Sequence, residues 1–192
     1  MKKKLFALLL LFSVTILQAQ ENDKVWQFAM GSSVSVPISK FKNYYNTGFG
    51  GELEVSYSFN EKFSWYVKTG YNMFSGKKET YSFSGFNFDY TAPRISYIPI
   101  IGGPRYTVGN FSVGCAAGVG IYNFKNKGNA FNVISDTTGV SFTYSPEIAY
   151  KIGNLKIAAS YTSSILKLDD QYANYVDLKN ATFLGIKLFY DF

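Results

Sequence analysis

Polar and apolar residues alternate with period two through most of this chain. In FGGELEVSYSF (49–59), Phe49, Leu53, Val55, Tyr57 and Phe59 fall on one face, and Gly50, Glu52, Glu54, Ser56 and Ser58 on the other. Strict alternation of this kind marks a β-strand between two unlike surroundings. After Asn60-Glu61-Lys62 the pattern restarts: Phe63, Trp65, Val67, Tyr71 and Met73 share the apolar face, and Ser64, Lys68, Gly70 and Asn72, joined by Tyr66, share the other. The last residues, NATFLGIKLFYDF (180–192), alternate too, with Leu184, Ile186, Leu188, Tyr190 and Phe192 in phase. Apart from the extreme N-terminus, no stretch shows a helical period.

Read this way, the chain contains eight strands, near 25–36, 48–59, 63–75, 93–106, 110–124, 138–152, 155–166 and 180–192. Each is close to the length needed to cross a bilayer at a tilt. The connections alternate between tight (60–62, 107–109, 153–154) and long (37–47, 76–92, 125–137, 167–179). An even strand count with short turns on one rim and long loops on the other predicts an all-β fold, an eight-stranded antiparallel up-and-down transmembrane β-barrel. Pro99 and Pro146 fall inside predicted strands, where each removes a ladder donor, and bulges are expected there.

Alternation alone does not say which face is outside. Three features do. The polar face is rich in small residues, Gly114, Ala116, Gly118 and Gly120 on one strand and Ala158, Ser160, Thr162 and Ser164 on another, which suits a narrow lumen. The apolar face is aromatic near the tight turns, at Trp26, Tyr57, Phe59, Phe63, Trp65, Tyr106, Phe111, Tyr150, Tyr190 and Phe192, as a membrane-interface girdle is. Charged residues are only 17% of the chain and gather in loops and turns. A soluble secreted barrel with a lipid-binding interior would need the opposite arrangement.

The leader MKKKLFALLLLFSVTILQAQ has a basic start and an apolar run too short to span a membrane, which needs about 20 residues. It reads as a signal peptide, residues 1–19, leaving residues 20–192 as one barrel domain. Without Lys2, Lys3 and Lys4 the net charge of +6 falls to +3, too little to argue for nucleic acid. Cys115 is the only cysteine, so no intrachain disulfide forms.

The segment ISYIPIIGGPRYTVGNFSVGCAAGVGIYNF (95–124) resembles the PorT-like outer-membrane β-barrel domain. Ile98-Pro99-Ile100 matches that family's mid-chain Tyr-x-x-Ile-Pro-Leu-Leu strand, with Ile95 in the tyrosine's place, and a short turn and a Gly/Ala-rich strand follow. The resemblance implies a bacterial outer-membrane location, with both termini in the periplasm. Some relatives assist protein secretion, so a secretion component joins outer-membrane lipid, the barrel assembly machinery and an extracellular ligand as expected partners. The last strand fits the polar-x-Gly-x-x-apolar-x-apolar form that assembly machinery reads: Gly185, Leu188 and Tyr190 hold the spacing, Phe183 takes the polar slot, and Phe192 closes the chain.

Two further groups could hold function. Glu52, Glu54, Lys68, Arg105, Glu147 and Lys187 fall on the lumen face, where a charge must be paired or hydrated. Register from the 60–62 turn sets Glu54 opposite Lys68. Such charges form either a structural plug or a narrow passage for small solutes. The second group is the loop GKKETYSFSGFNFDYTA (76–92), in which Tyr81, Phe83, Phe86, Phe88 and Tyr90 alternate around Ser84-Gly85. A two-residue turn there pairs Phe83 with Phe86 and Tyr81 with Phe88, an extracellular hairpin that could bind a partner or cover the barrel mouth. The chain has no histidine, which removes the usual general base of barrel enzymes, and no phosphate loop or metal-ligand cluster stands out. The expectation is a non-enzymatic protein without cofactors.

Overall fold

The structure, a computed structural model, describes residues 26–83, 86–125, 137–166 and 180–192. The expected signal peptide, 1–19, lies outside them. Eight strands close a barrel: β1 (Trp26–Pro37), β2 (Gly48–Ser58), β3 (Phe63–Phe74), β6 (Arg94–Val108), β7 (Phe111–Lys125), β8 (Thr137–Ile152), β9 (Leu155–Ile165) and β10 (Asn180–Asp191). Two shorter strands, β4 (Lys78–Phe83) and β5 (Phe86–Thr91), form a separate two-stranded sheet between β3 and β6. Every barrel neighbour is antiparallel, and β1 closes on β10 through nine pairs from Ala29↔Asp191 to Pro37↔Phe183.

The turns explain the strand ends. After β2 the Asn60 side chain accepts the backbone N–H groups of Lys62 at 2.9 Å and Phe63 at 2.8 Å, an Asx turn that needs no glycine. The turn between β6 and β7 is Gly109-Asn110, which overlaps the expected 107–109 turn but begins two residues later. Gly109 has φ +58°, so the chain reverses where a residue without Cβ permits it. Gly153 does the same between β8 and β9.

The prolines cause no bulge, contrary to the sequence expectation. β6 pairs with β3 at Thr69↔Ile100 and again at Asn72↔Tyr97, in one unbroken register across Pro99. β8 pairs with β9 at Tyr144↔Ser163 and Glu147↔Ser160, again without a slip across Pro146. In an antiparallel strand each residue turns its N–H and C=O toward a single neighbour. A missing N–H therefore interrupts one ladder and leaves the other whole: Pro99↔Gly120 and Cys115↔Pro146 persist.

The apolar face points outward. Leu53, Trp65, Val113, Phe142, Ile157 and Ile186 are all exposed, and the residues on either side of each are buried or half-buried. An apolar wall around the whole barrel far exceeds the patch a water-soluble monomer exposes. At the tight-turn rim it becomes aromatic: Trp26 meets Tyr57 edge-on at 4.9 Å, Phe63 meets Tyr106 at 4.8 Å, Phe111 meets Tyr150 at 4.6 Å and Tyr190 meets Phe192 at 5.2 Å. Both ends of the described chain lie on this rim, where the Phe192 N–H donates to the Phe28 carbonyl at 2.9 Å.

Candidate functional site

The lumen is filled in three layers, which can be followed up β10. Its inward residues run Asp191, Phe189, Lys187, Gly185, Phe183, Ala181 from the tight-turn rim to the loop rim.

The lowest layer is ionic. Glu54 and Lys68 stand opposite each other, as the hairpin register requires, and both are 2% exposed. Arg105 donates both terminal nitrogens to Glu54, at 2.5 and 2.8 Å, and a longer bond to Glu147 at 3.2 Å. Lys68 lies 3.3 Å from Glu54 and bonds Glu147. Lys187 donates to Glu52 at 2.8 Å. All six lumen charges read from the sequence therefore meet in one network. Two members were missed: Lys156 donates to Glu54 at 2.6 Å, and Asp191 lies 3.9 Å from Lys156. Alternation could have found them, since Lys156 is in phase with Ala158 and Asp191 lies between outward Tyr190 and Phe192. Among its buried side chains the network holds Glu52, Glu54, Glu147 and Asp191 against Lys68, Arg105, Lys156 and Lys187, four against four, with Lys187 also 3.8 Å from Glu147; the more exposed Lys151 adds a fifth cation at the rim, 2.5 Å from Asp191. Rings hold it in place: Arg105 lies 4.1 Å from the centre of Tyr66, and Lys156 lies 4.6 Å from that of Phe189. Below Arg105 a polar vestibule of about 180 Å³ opens at the tight-turn rim.

The middle layer is made of short hydroxyls and one amide. Ser33 donates to Asn72 at 2.7 Å, Thr143 pairs with Ser164 at 2.6 Å, and Ser145 pairs with Thr162 at 2.9 Å. The small residues of β7 make room for rings from other strands. A Cβ at Gly114 would stand 2.9 Å from the Tyr66 hydroxyl.

The third layer, at the loop rim, is aromatic. Tyr97 and Tyr122 stack at 4.7 Å, Phe183 packs on Tyr97 at 5.6 Å and on Phe74 at 5.2 Å, and Phe41 caps Phe74 at 5.3 Å. Phe183, the residue that departs from the assembly pattern, is therefore a plug residue. Phe41 comes from a feature the period-two reading did not contain, a one-turn helix α1 (Phe41–Tyr44) in the first long loop. The loop is tied down by a Tyr45–Gly76 bridge and by the Lys77 N–H donating to the Tyr44 carbonyl at 2.8 Å. Among the described residues, it is this loop that packs over the aromatic layer at the mouth.

The predicted aromatic hairpin forms as β4 and β5, in the expected register of Tyr81↔Phe88 and Phe83↔Phe86, with Tyr90 opposite Glu79. Ser84 and Gly85 lie outside the described residues. Gly185 faces the lumen against Ser160, while Leu188, Tyr190 and Phe192 face outward. No group of metal-ligating side chains is found among the described residues.

A family model described as "Outer membrane protein beta-barrel domain" matches residues 5–192. No curated protein matches the chain. Among solved structures it is similar to Ail, the attachment invasion locus protein of Yersinia pestis, in complex with the heparin analogue sucrose octasulfate. There 87% of this chain aligns with 97% of that one at 16% identity and a TM-score of 0.52. It is also similar to the N-terminal β-barrel domain of Pseudomonas aeruginosa OprF (86% on 97%, 11% identity, TM-score 0.50) and to a major outer membrane protein of Thermus thermophilus (88% on 100%, 12% identity, TM-score 0.52). At these identities the likeness is one of fold.

Proposed function

We propose a non-enzymatic surface role for this chain, which belongs to the outer membrane protein β-barrel domain family and so is a protein of the bacterial outer membrane. On this reading the barrel is an anchor, its termini and tight turns lie in the periplasm, and its long loops and the β4–β5 hairpin meet an extracellular ligand. The observation that supports it most is the filled lumen. Glu147, the carboxylate best placed to act as a base, is committed to Lys68 and Arg105. A solute moving through would have to part both the ionic layer and the aromatic one. The test is conductance of the purified barrel in planar bilayers. No steps above background are expected, and steady unitary conductance would favour the narrow-passage reading instead.

The hairpin is the part to remove. Glu79 and Tyr90 are cross-strand partners, so deleting residues 80–89 joins two positions that already face each other. The truncated chain should still give a folded, heat-shifted band on an unboiled gel, because the barrel ladder does not include β4 or β5. Loss of that band would make the hairpin structural. Ail was solved with a sulfated heparin analogue, which makes sulfated sugars a first ligand class to try against the intact and shortened loops.

The signal peptide, the PorT-like affinity with its link to secretion, and the C-terminal assembly signal belong to the same proposal. For the last, deleting Phe192 should lower the assembled fraction several-fold in cells. It should barely change the stability of barrel already folded, since it removes one backbone bond and one edge-on ring contact at the rim. An unchanged assembled fraction would count against the signal.

A further inference from the structure

The outward faces of β6 and β7 form a column of cross-strand pairs: Ile100↔Val119, Ile98↔Ile121, Ser96↔Asn123 and, at the loop rim, Arg94↔Lys125. The two polar positions below the rim have partners. The Ser96 hydroxyl pairs with that of Tyr71 at 2.7 Å, and Asn123 accepts from Thr138 at 2.6 Å. The top pair sets two cations directly opposite each other, an arrangement that destabilises a sheet when left uncompensated. Neither makes an ion pair among the described residues. The barrel contains a second such pair, Lys151↔Lys156 at the other rim, and there Asp191 supplies the anion, 2.5 Å from Lys151 and 3.9 Å from Lys156. Arg94 and Lys125 have no counterpart to Asp191 among the described residues. Beside Arg94 instead is a recess of about 130 Å³, whose wall includes the hydroxyl residues Ser75 and Thr91.

A second observation lies on the same strand. Val119, Val140, Phe142 and Ile165 line an apolar groove of about 340 Å³ on the outer wall. Val119 is six residues below Lys125 in the outward column, about 20 Å along the strand at roughly 3.3 Å per residue. With a tilt near 45° that is about 14 Å of depth, half of a hydrocarbon core about 30 Å thick. Charge above and an acyl-sized groove below, on one wall, fit a single kind of molecule.

We propose that Arg94 and Lys125 clamp the phosphate of a lipid in the leaflet at the loop rim, with one of its acyl chains in the groove at Val119 and Phe142. The site goes beyond the loop-binding reading and does not depend on it. Native mass spectrometry of the folded full chain in detergent tests it with three probes: phosphatidic acid, phosphatidylcholine of the same chains, and inorganic phosphate. One phosphatidic acid is expected to be retained, phosphatidylcholine several-fold more weakly, and inorganic phosphate neither retained nor competing. Arg94→Gln with Lys125→Gln should weaken phosphatidic acid about thirtyfold, at the strength usual for two basic residues at an anionic surface. Val140→Trp, which fills the groove, should weaken both lipids. A heat-shifted band confirms that each variant is folded. The wild-type chain supplies an independent reading, since raised salt should release phosphatidic acid and leave phosphatidylcholine unaffected. Unchanged retention by the double variant, salt-independent binding, or full displacement by inorganic phosphate would each overturn the proposal.

Discussion

Glu54→Gln is expected to lower the unfolding free energy of the barrel by about 3–5 kcal/mol, the usual cost of removing one partner from a buried ion pair. Glu54 accepts from Arg105 through both oxygens, accepts from Lys156, and lies within 3.3 Å of Lys68. The amide leaves four buried cations facing Glu52, Glu147 and Asp191, one buried positive charge in excess inside a narrow wall. The measurement is urea unfolding of barrel folded into lipid vesicles, followed by the fluorescence of Trp26 and Trp65 in the aromatic girdle. Adding Arg105→Gln restores the balance, so the double variant should recover a large part of the loss. That recovery separates coupled charges from independent ones, because independent residues would make the double variant worse. A Glu54→Gln barrel that keeps its stability and gains conductance would turn the plug reading into the passage reading.

Gly120→Val should cost about 3 kcal/mol, at the upper end of the overpacking range. A Cβ there would stand 2.5 Å from the Thr143 hydroxyl and 2.7 Å from the Tyr97 ring, and valine adds two methyls beyond it. Tyr97 has nowhere to move, since Tyr122 stacks on one side and Phe183 packs on another. The same vesicle unfolding assay measures it. Ala117→Val is the control: Ala117 faces outward on the same strand, so its extra methyls meet lipid and its stability should stay within about 0.5 kcal/mol of wild type. Equal behaviour of the two variants would mean that the lumen at Gly120 is not packed as described.

Phe183 shows how a legible face can hide a role. Alternation in NATFLGIKLFYDF set Phe183 on the lumen side, where an aromatic looks like an exception to an assembly pattern. Its reason is visible only beside Phe41, Phe74 and Tyr97, which come from a loop and two other strands. Lys156 is similar. Its phase with Ala158 was readable, yet its partner Glu54 is 102 residues away.

The alternation by itself determined the strand count, the strand limits to within a few residues, the face each side chain takes and the register around the 60–62 turn. It could do so because a pleat has only two faces, and each residue reports its face through its own polarity and that of its neighbours. Closure, layering and partners across the lumen were decided by tertiary structure. Which inward residues share a level depends on the stagger accumulated around eight strands, and which of them touch depends on side-chain length across a narrow interior. The lid helix, the four-against-four balance of the buried ionic side chains and the Arg94–Lys125 pair, which has no anion among the described residues, follow from that geometry, because each joins residues whose separation along the chain has no period.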